Sequence, residues 1–164
     1  GKYMVVVHVV LIAVALVCGQ ADATTAPEKP LKIRPAAQIV SADFGLFELD
    51  TPQGPRFSPG TVVPLIENQA YGWIIHLRTD KPTVKWREEF VLPERPATWG
   101  SPEPLDKRSI SSSGRTSVTE REVTPEKGVI FNVWTVAPGD PKGRHLIRVF
   151  VEGVLVKTFI FEVQ

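Results

Sequence analysis

The side chains of this sequence that could carry out chemistry include two adjacent carboxylates, Glu88 and Glu89. Paired carboxylates hydrolyse glycosidic bonds, but adjacent residues of a β-strand point to opposite faces, so these two cannot flank one bond. Glu88 alternates in phase with Trp86 and Phe90, which predicts a half-buried face on which a carboxylate needs a partner. There are two interpretations of Glu88. Either its carboxylate forms a structural ion pair with an arginine of another strand, or it is exposed at a strand end. A hydrolase built around Glu88 is a weaker alternative.

The candidate metal ligands are His76 and His145, the histidines that follow the N-terminal segment. Neither has a second ligand at the spacing that metal sites use, so we predict no metal and no cofactor. His76 alternates out of phase with Trp73 and Ile75, which predicts that it faces solvent. The serines at 109–113 lack the Gly-x-Ser-x-Gly elbow that activates a nucleophile. The sequence therefore indicates a protein that is not an enzyme.

Trp99 is the side chain most suggestive of binding, because it lies in a proline-rich stretch, Pro96–Gly100. The other three tryptophans lie in predicted strands, where we expect them to pack. Trp99 either folds back as a plug over the end of the fold or stays exposed. An exposed indole could anchor a partner protein, or stack on a sugar with Arg95 or Arg115 as hydrogen-bond donors.

The elements that must position these side chains are short strands. Fifteen prolines and twelve glycines in 164 residues disfavour helices and mark turns. Apolar runs bounded by Pro, Gly and Asp begin near residue 38, and no helical period persists for three turns. We predict an all-β sandwich over residues 38–164 with strands at about 39–49, 61–65, 70–79, 83–91, 116–123, 129–136, 144–151 and 154–163.

The connection between the fourth and fifth of these strands is unusually long. Residues 92–115 begin with four prolines and continue into a Ser/Gly-rich run, which predicts an extended first half and a flexible second half. Long connections in compact domains are often functional or disordered, so this loop is either a binding element or idle.

A tight turn at Glu152-Gly153 predicts a C-terminal hairpin. Centring the turn there pairs Val151 with Val154 and places a valine-rich face in the core. A three-residue turn would pair the strands differently. The other face would then be an apolar outer surface that carries Leu146, Phe150, Leu155, Phe159 and Phe161. We take Phe150, Leu155 and Phe159, together with Trp99, as candidate binding residues.

The N-terminal segment has the pattern of an export signal. Lys2 precedes an apolar run at 4–17, and Ala21-Asp22-Ala23 offers small residues to a signal peptidase, so residues 1–23 are predicted to be a signal peptide. A retained anchor or a buried strand is the alternative. Cys18 leaves a second fate open, in which the chain is a bacterial lipoprotein that is lipidated at this cysteine. We expect membrane attachment only in that case. Residues 24–37 are predicted to be a flexible tether.

Charge narrows the choice of partner. Nineteen Lys and Arg residues balance eighteen Asp and Glu residues and are interspersed with them, so no basic stripe could neutralise a phosphate backbone. We therefore expect no nucleic acid as partner. The partners that the sequence leaves open are another envelope protein and a glycan.

Several stretches of the chain resemble an uncharacterised family of exported bacterial proteins, a domain of unknown function. The matching stretches include Ile39–Glu48, Thr61-Val62-Val63-Pro64, Tyr71-Gly72-Trp73, His145–Phe150 and Thr158–Val163. The resemblance covers about 39–163 and is poor in the middle. It implies an Ig-like antiparallel β-sandwich of about seven to eight strands that works in the periplasm or outside the cell. It brings no catalytic residues.

The sequence thus predicts a non-enzymatic exported envelope protein that acts as a protein-interaction or structural module. The alternative is a carbohydrate-binding module that uses Trp99.

Overall fold

The computed structural model describes residues 35–164. The predicted signal peptide, Cys18 and residues 24–34 of the predicted tether lie outside the described residues. Within residues 35–164 there are ten strands and no helix, and hence no helix long and apolar enough to cross a membrane. The strands are β1 Gln38–Glu48, β2 Arg56–Pro59, β3 Val62–Val63, β4 Ala70–Arg78, β5 Val84–Val91, β6 Lys107–Ile110, β7 Thr116–Val123, β8 Val129–Thr135, β9 Gly143–Val151 and β10 Val154–Val163.

The strands form two sheets that enclose one hydrophobic core. The four-stranded sheet has the order β2-β1-β4-β8, and the six-stranded sheet has the order β3-β10-β9-β5-β7-β6. Neighbouring strands are antiparallel except for β3 and β10, which are parallel. The predicted all-β sandwich is confirmed, with two strands more than the eight that the sequence indicates.

Period-two burial produces the core, as the sequence pattern predicts. Alternate residues of β4, among them Trp73 and Ile75, point inward, and those of β5 include Trp86 and Phe90. His76, out of phase with them, is exposed as predicted. Because strand side chains alternate between faces, this single repeat fixes which residues meet between the sheets.

The two strands that sequence reasoning missed are β2 and β6, each four residues long. Both lie at the edge of a sheet, and both consist mainly of exposed residues. An edge strand that buries little carries no apolar alternation, so its sequence looks like a turn or a loop. As a result, the second half of the 92–115 connection is a strand followed by a turn, where the sequence predicted a flexible run.

The C-terminal hairpin turns where the sequence predicts. Glu152 and Gly153 both have positive φ, 49° and 79°, as a two-residue type I′ turn requires, and Val151 pairs with Val154. A β-bulge between Leu155 and Lys157 then shifts the pairing by one residue.

This bulge corrects the predicted outer face. Beyond it, Phe159 pairs with Ile147 and Phe161 pairs with His145, and all four side chains point into the core. Phe159 is only 5% exposed, so its predicted place on the outer surface is wrong. One extra residue in a strand sends every later side chain to the opposite face.

Candidate functional site

Glu88 lies between the two sheets and connects them. Its side chain is 0% exposed. Oε2 accepts hydrogen bonds from Trp73 Nε1 at 2.7 Å and from Asn132 Nδ2 at 3.0 Å, and Oε1 accepts one from Trp134 Nε1 at 2.9 Å. Strand β5 of one sheet supplies the carboxylate, and strands β4 and β8 of the other supply the three donors.

Burial raises the pKa of Glu88, while its three N–H donors favour the charged form and oppose that shift. Within residues 35–164 Glu88 forms no ion pair, so the predicted ion pair or strand-end exposure is wrong. The donors are uncharged side chains of strands distant in sequence, which local spacing cannot reveal. A substrate has no access to a carboxylate enclosed in this way.

A cleft of about 230 Å³ opens beside β8, under the stretch 96–106 of the long connection. We call it the Trp99 cleft. Its lining mixes aromatic, hydroxyl and charged side chains, among them Tyr71, Trp99, Arg108, Thr119, Trp134 and Asp140.

Trp99 closes one side of this cleft as a half-buried plug. Its ring meets those of Phe90 and Trp134 edge to face, with centroids 5.7 Å and 5.8 Å away, and its Nε1 donates to the carbonyl oxygen of Gly114 at 2.8 Å. Of the two interpretations that the sequence leaves open, the structure has the plug. The predicted sugar-binding donors are elsewhere: Arg95 lies against Gly114, and Arg115 Nε donates to the carbonyl oxygen of Leu92 at 3.2 Å.

Arg108 of β6 holds the loop over the cleft. Its Nη1 donates to the carbonyl oxygens of Trp99 at 3.1 Å and of Gly100 at 3.0 Å, and its guanidinium lies over the Trp134 ring, 5.2 Å from the centroid. Sequence reasoning did not identify Arg108, because β6 was not predicted as a strand.

An ion pair secures the same loop nearer β7. Arg121 Nε donates to Asp106 Oδ1 at 2.5 Å, and the guanidinium lies over the Trp86 ring, 5.2 Å from the centroid. Both side chains of the pair are largely buried, so their charges are compensated within the fold.

Two ionisable side chains at the cleft and one nearby have shifted pKa values. Burial raises the pKa of Tyr71, and the charges of Asp140 and Glu88 raise it further, so the phenol keeps its proton. Burial also raises the pKa of Asp140, although the Ala137 N–H donates to its carboxylate at 2.8 Å. Burial lowers the pKa of His145. Its Nδ1 donates to the carbonyl oxygen of Gly143 at 2.9 Å, which gives this histidine a structural role.

No three His, Cys, Asp or Glu side chains in the described part of the chain come close enough to hold a metal ion.

A second candidate surface lies at the tip of the C-terminal hairpin. Val154 and Leu155 are 68% and 49% exposed, and with Ile39 and Val156 they border an apolar groove of about 280 Å³. We call these four side chains the hairpin patch. Phe150 pairs with Leu155 but is half-buried under the guanidinium of Arg87, 4.1 Å from its ring centroid. Of the three predicted hairpin binding residues, the structure therefore leaves Leu155 the most exposed.

Comparison with known proteins identifies relatives of this sandwich. The family model described as the PM0630 beta sandwich domain matches residues 42–164. An immunoglobulin-like protein from Pseudomonas aeruginosa is similar in structure, with a TM-score of 0.53 and 15% identity, over 78% of this chain and 96% of that one. At this identity the similarity shows the fold alone. No curated protein matches the sequence.

A weaker similarity is to the alkylpurine DNA glycosylase AlkC of Pseudomonas fluorescens, solved with DNA that contains an abasic site analogue. Its TM-score is 0.37 and its identity 15%, over 80% of this chain and 31% of the enzyme. A similarity this remote supports no structural or functional argument.

Proposed function

Because the chain belongs to the PM0630 β-sandwich domain family and has an immunoglobulin-like fold, we propose that it is a non-catalytic module that binds another protein of the bacterial envelope. The observation that carries the proposal is the hairpin patch. A cluster of exposed apolar side chains marks a binding site more often than a single exposed apolar side chain does.

The chemistry of the groove favours a protein as the occupant. Among the described residues that border it, the one charged residue is Glu152, which forms an ion pair with Lys81. A groove whose described lining carries no uncompensated charge offers little to a phosphate or an acidic glycan, whereas apolar side chains of a protein partner would bury against it.

The enclosure of Glu88 supports a non-catalytic role. General acid–base chemistry requires a carboxylate within hydrogen-bond reach of the substrate, and both oxygens of Glu88 already accept hydrogen bonds inside the core. A hydrolase built around Glu88 would have to open the sandwich to bind substrate. The packed indole of Trp99 likewise gives little support to a carbohydrate-binding module that stacks sugars on an exposed tryptophan.

Export from the cytoplasm is part of the proposal and rests on the sequence. The apolar run at 4–17 and the small residues at Ala21-Asp22-Ala23 support cleavage after Ala23. Mass measurement of the N-terminal peptide from fractionated cells tests this. A start at Thr24 supports ordinary secretion, and a lipid-modified Cys18 at the N-terminus would make the protein an envelope lipoprotein instead. An uncleaved N-terminus would contradict export by either route.

Site-specific crosslinking in living bacteria tests partner binding. A photoreactive benzoylphenylalanine at position 155 should yield one defined adduct with another envelope protein, identified by mass spectrometry. The same group at Glu120, an exposed position on the same sheet, is the control and should not yield this adduct. Val154→Asp, which places a charge in the patch, should abolish the adduct. Identical products from positions 155 and 120, or adducts only between copies of this chain, would overturn the proposal.

A further inference from the structure

A buried hydroxyl group bordering the Trp99 cleft lacks a hydrogen-bond partner among the described residues. Thr119, which lines the cleft, is 1% exposed, and its buried Oγ1 has no partner within residues 35–164. Buried polar groups in folded proteins are nearly always paired, since leaving one unpaired costs free energy. Such a group beside a cleft that the Tyr71 side chain also lines points to a ligand that completes its hydrogen bonds.

Charge around the cleft disfavours an anionic ligand. Glu103 and Asp140 both line it, and the third carboxylate, Asp106, is paired with Arg121. Among the described residues of the lining, Arg108 is the one cationic side chain, so carboxylates exceed cations.

The aromatic face that could hold a cationic ligand in the cleft is already occupied. Aromatic rings attract cations to their faces, but the guanidinium of Arg108 already lies over the Trp134 ring. The remaining lining includes indole and other apolar surface, hydroxyl groups, an amide and carboxylate oxygens. This combination suits a neutral ligand with apolar C–H surface and several hydroxyl groups.

From this geometry we propose that the Trp99 cleft binds a single neutral sugar ring. A volume of about 230 Å³ is below the range typical for drug-sized ligands and suits one ring. Sugar hydroxyls can both donate and accept, so they match the unpaired hydroxyl of Thr119, the hydroxyl of Tyr71 and the carboxylate of Asp140. This site is separate from the hairpin patch, and its ligand goes beyond the protein binding proposed above.

Fluorescence titration of the folded protein with monosaccharides tests the proposal. Two of the four tryptophans line the cleft, so occupancy should change the emission. The probes are glucose, galactose and N-acetylglucosamine, with glucuronate and glucosamine as charged counterparts. At least one neutral sugar should bind saturably at millimolar concentration, and tenfold or more tightly than either charged sugar.

Variants that remove one hydroxyl each connect binding to the cleft. Thr119→Val and Tyr71→Phe keep nearly the same side-chain volume. Ser117→Ala is the matched control, because Ser117 lies two residues from Thr119 on β7 with an equally buried, unpaired hydroxyl but does not line the cleft. A tenfold or greater loss of affinity in at least one of the first two variants, with the control unchanged, supports the site. Urea unfolding of each variant confirms that it is folded.

Three results would overturn the proposal. The first is that none of the three neutral sugars gives a saturable response, and the second is that a charged sugar binds more tightly than the neutral ones. The third is that both hydroxyl variants keep the affinity of the parent, or that Ser117→Ala lowers the affinity as much as they do. None of these outcomes bears on crosslinking at position 155, so protein binding and sugar binding can fail independently.

Discussion

The indole nitrogen of Trp73 lies 2.7 Å from the Oε2 atom of Glu88, a hydrogen bond that crosses the core from one sheet to the other. It belongs to a set in which three N–H groups donate to one enclosed carboxylate, which forms no ion pair with the residues that the structure describes. A carboxylate satisfied in this way ties β4 and β8 to β5. Glu88 is therefore a structural link in the sandwich, and its substitution should be felt mainly in stability.

Glu88→Gln should destabilise the fold by about 1–3 kcal/mol. Whichever way round the new amide sits, its NH₂ replaces either the oxygen that accepts from Trp73 and Asn132 or the one that accepts from Trp134, so at least one donor loses its acceptor. Urea unfolding monitored by fluorescence measures the change in free energy. The control Glu120→Gln, at an exposed site, should stay within about 0.5 kcal/mol of the parent. An equal effect of both substitutions would contradict the structural link.

The raised pKa of Glu88 predicts a particular pH dependence. In the unfolded chain the group titrates near its ordinary value of 4.5, whereas the folded protein holds the proton to a higher pH. The stability that this group contributes is present below pH 4.5 and is lost as the pH rises through the folded pKa. The stability advantage of the parent over Glu88→Gln should therefore shrink as the pH is raised through this window. Unfolding curves at a series of pH values test the sign, and an advantage that grows with pH would refute it.

His145 should behave in the opposite sense. Because burial lowers its pKa below the ordinary 6.5, the stability that it contributes is present above pH 6.5 and is lost as the pH falls through the folded pKa. Nitrogen-detected NMR should show a neutral ring with the proton on Nδ1, where the carbonyl oxygen of Gly143 accepts it, at pH values somewhat below 6.5. A ring that is already charged above pH 6.5, or one protonated on Nε2 alone, would be inconsistent with this structure.

Trp99→Ala should lower stability by about 2–3 kcal/mol, toward the low end for loss of a large aromatic side chain because the ring is only half-buried. Trp99→Phe retains a ring against Phe90 and Trp134 and loses the hydrogen bond to Gly114, so about 1 kcal/mol is expected. Thermal unfolding of the two variants compares these losses. A melting temperature that Trp99→Ala leaves unchanged would mean that the indole does not act as a plug.

The turn of the C-terminal hairpin allows a matched test of backbone strain. An added Cβ would meet nothing within 4 Å at either Gly153 or Gly60, but only Gly153 has positive φ, at 79°. Gly153→Ala should therefore cost about 1–2 kcal/mol, because a side chain is disfavoured in the left-handed region. Gly60→Ala should change stability by less than about 0.5 kcal/mol. Chemical denaturation distinguishes the two, and equal losses would contradict the type I′ turn.

Much of the fold could be read from alternation in the sequence. Period-two patterning predicts eight strands, the shared face of Glu88, Trp86 and Phe90, and the solvent exposure of His76. The structure confirms all three. Alternation succeeds because a strand buried on one face records that burial in its own residues. The edge strands β2 and β6 bury little and so leave no such record.

The candidate site depended on what local patterning cannot specify. The bulge before Lys157 turned Phe159 inward, and the path of the 92–106 stretch brought Trp99 and Arg108 onto Trp134. The partners of Glu88 come from strands 15 to 46 residues away along the chain. The sequence by itself determined which residues alternate into an interior, since that preference is local. Only the tertiary structure decided which of them meet, because pairing between sheets depends on register and on loop paths that no single strand encodes.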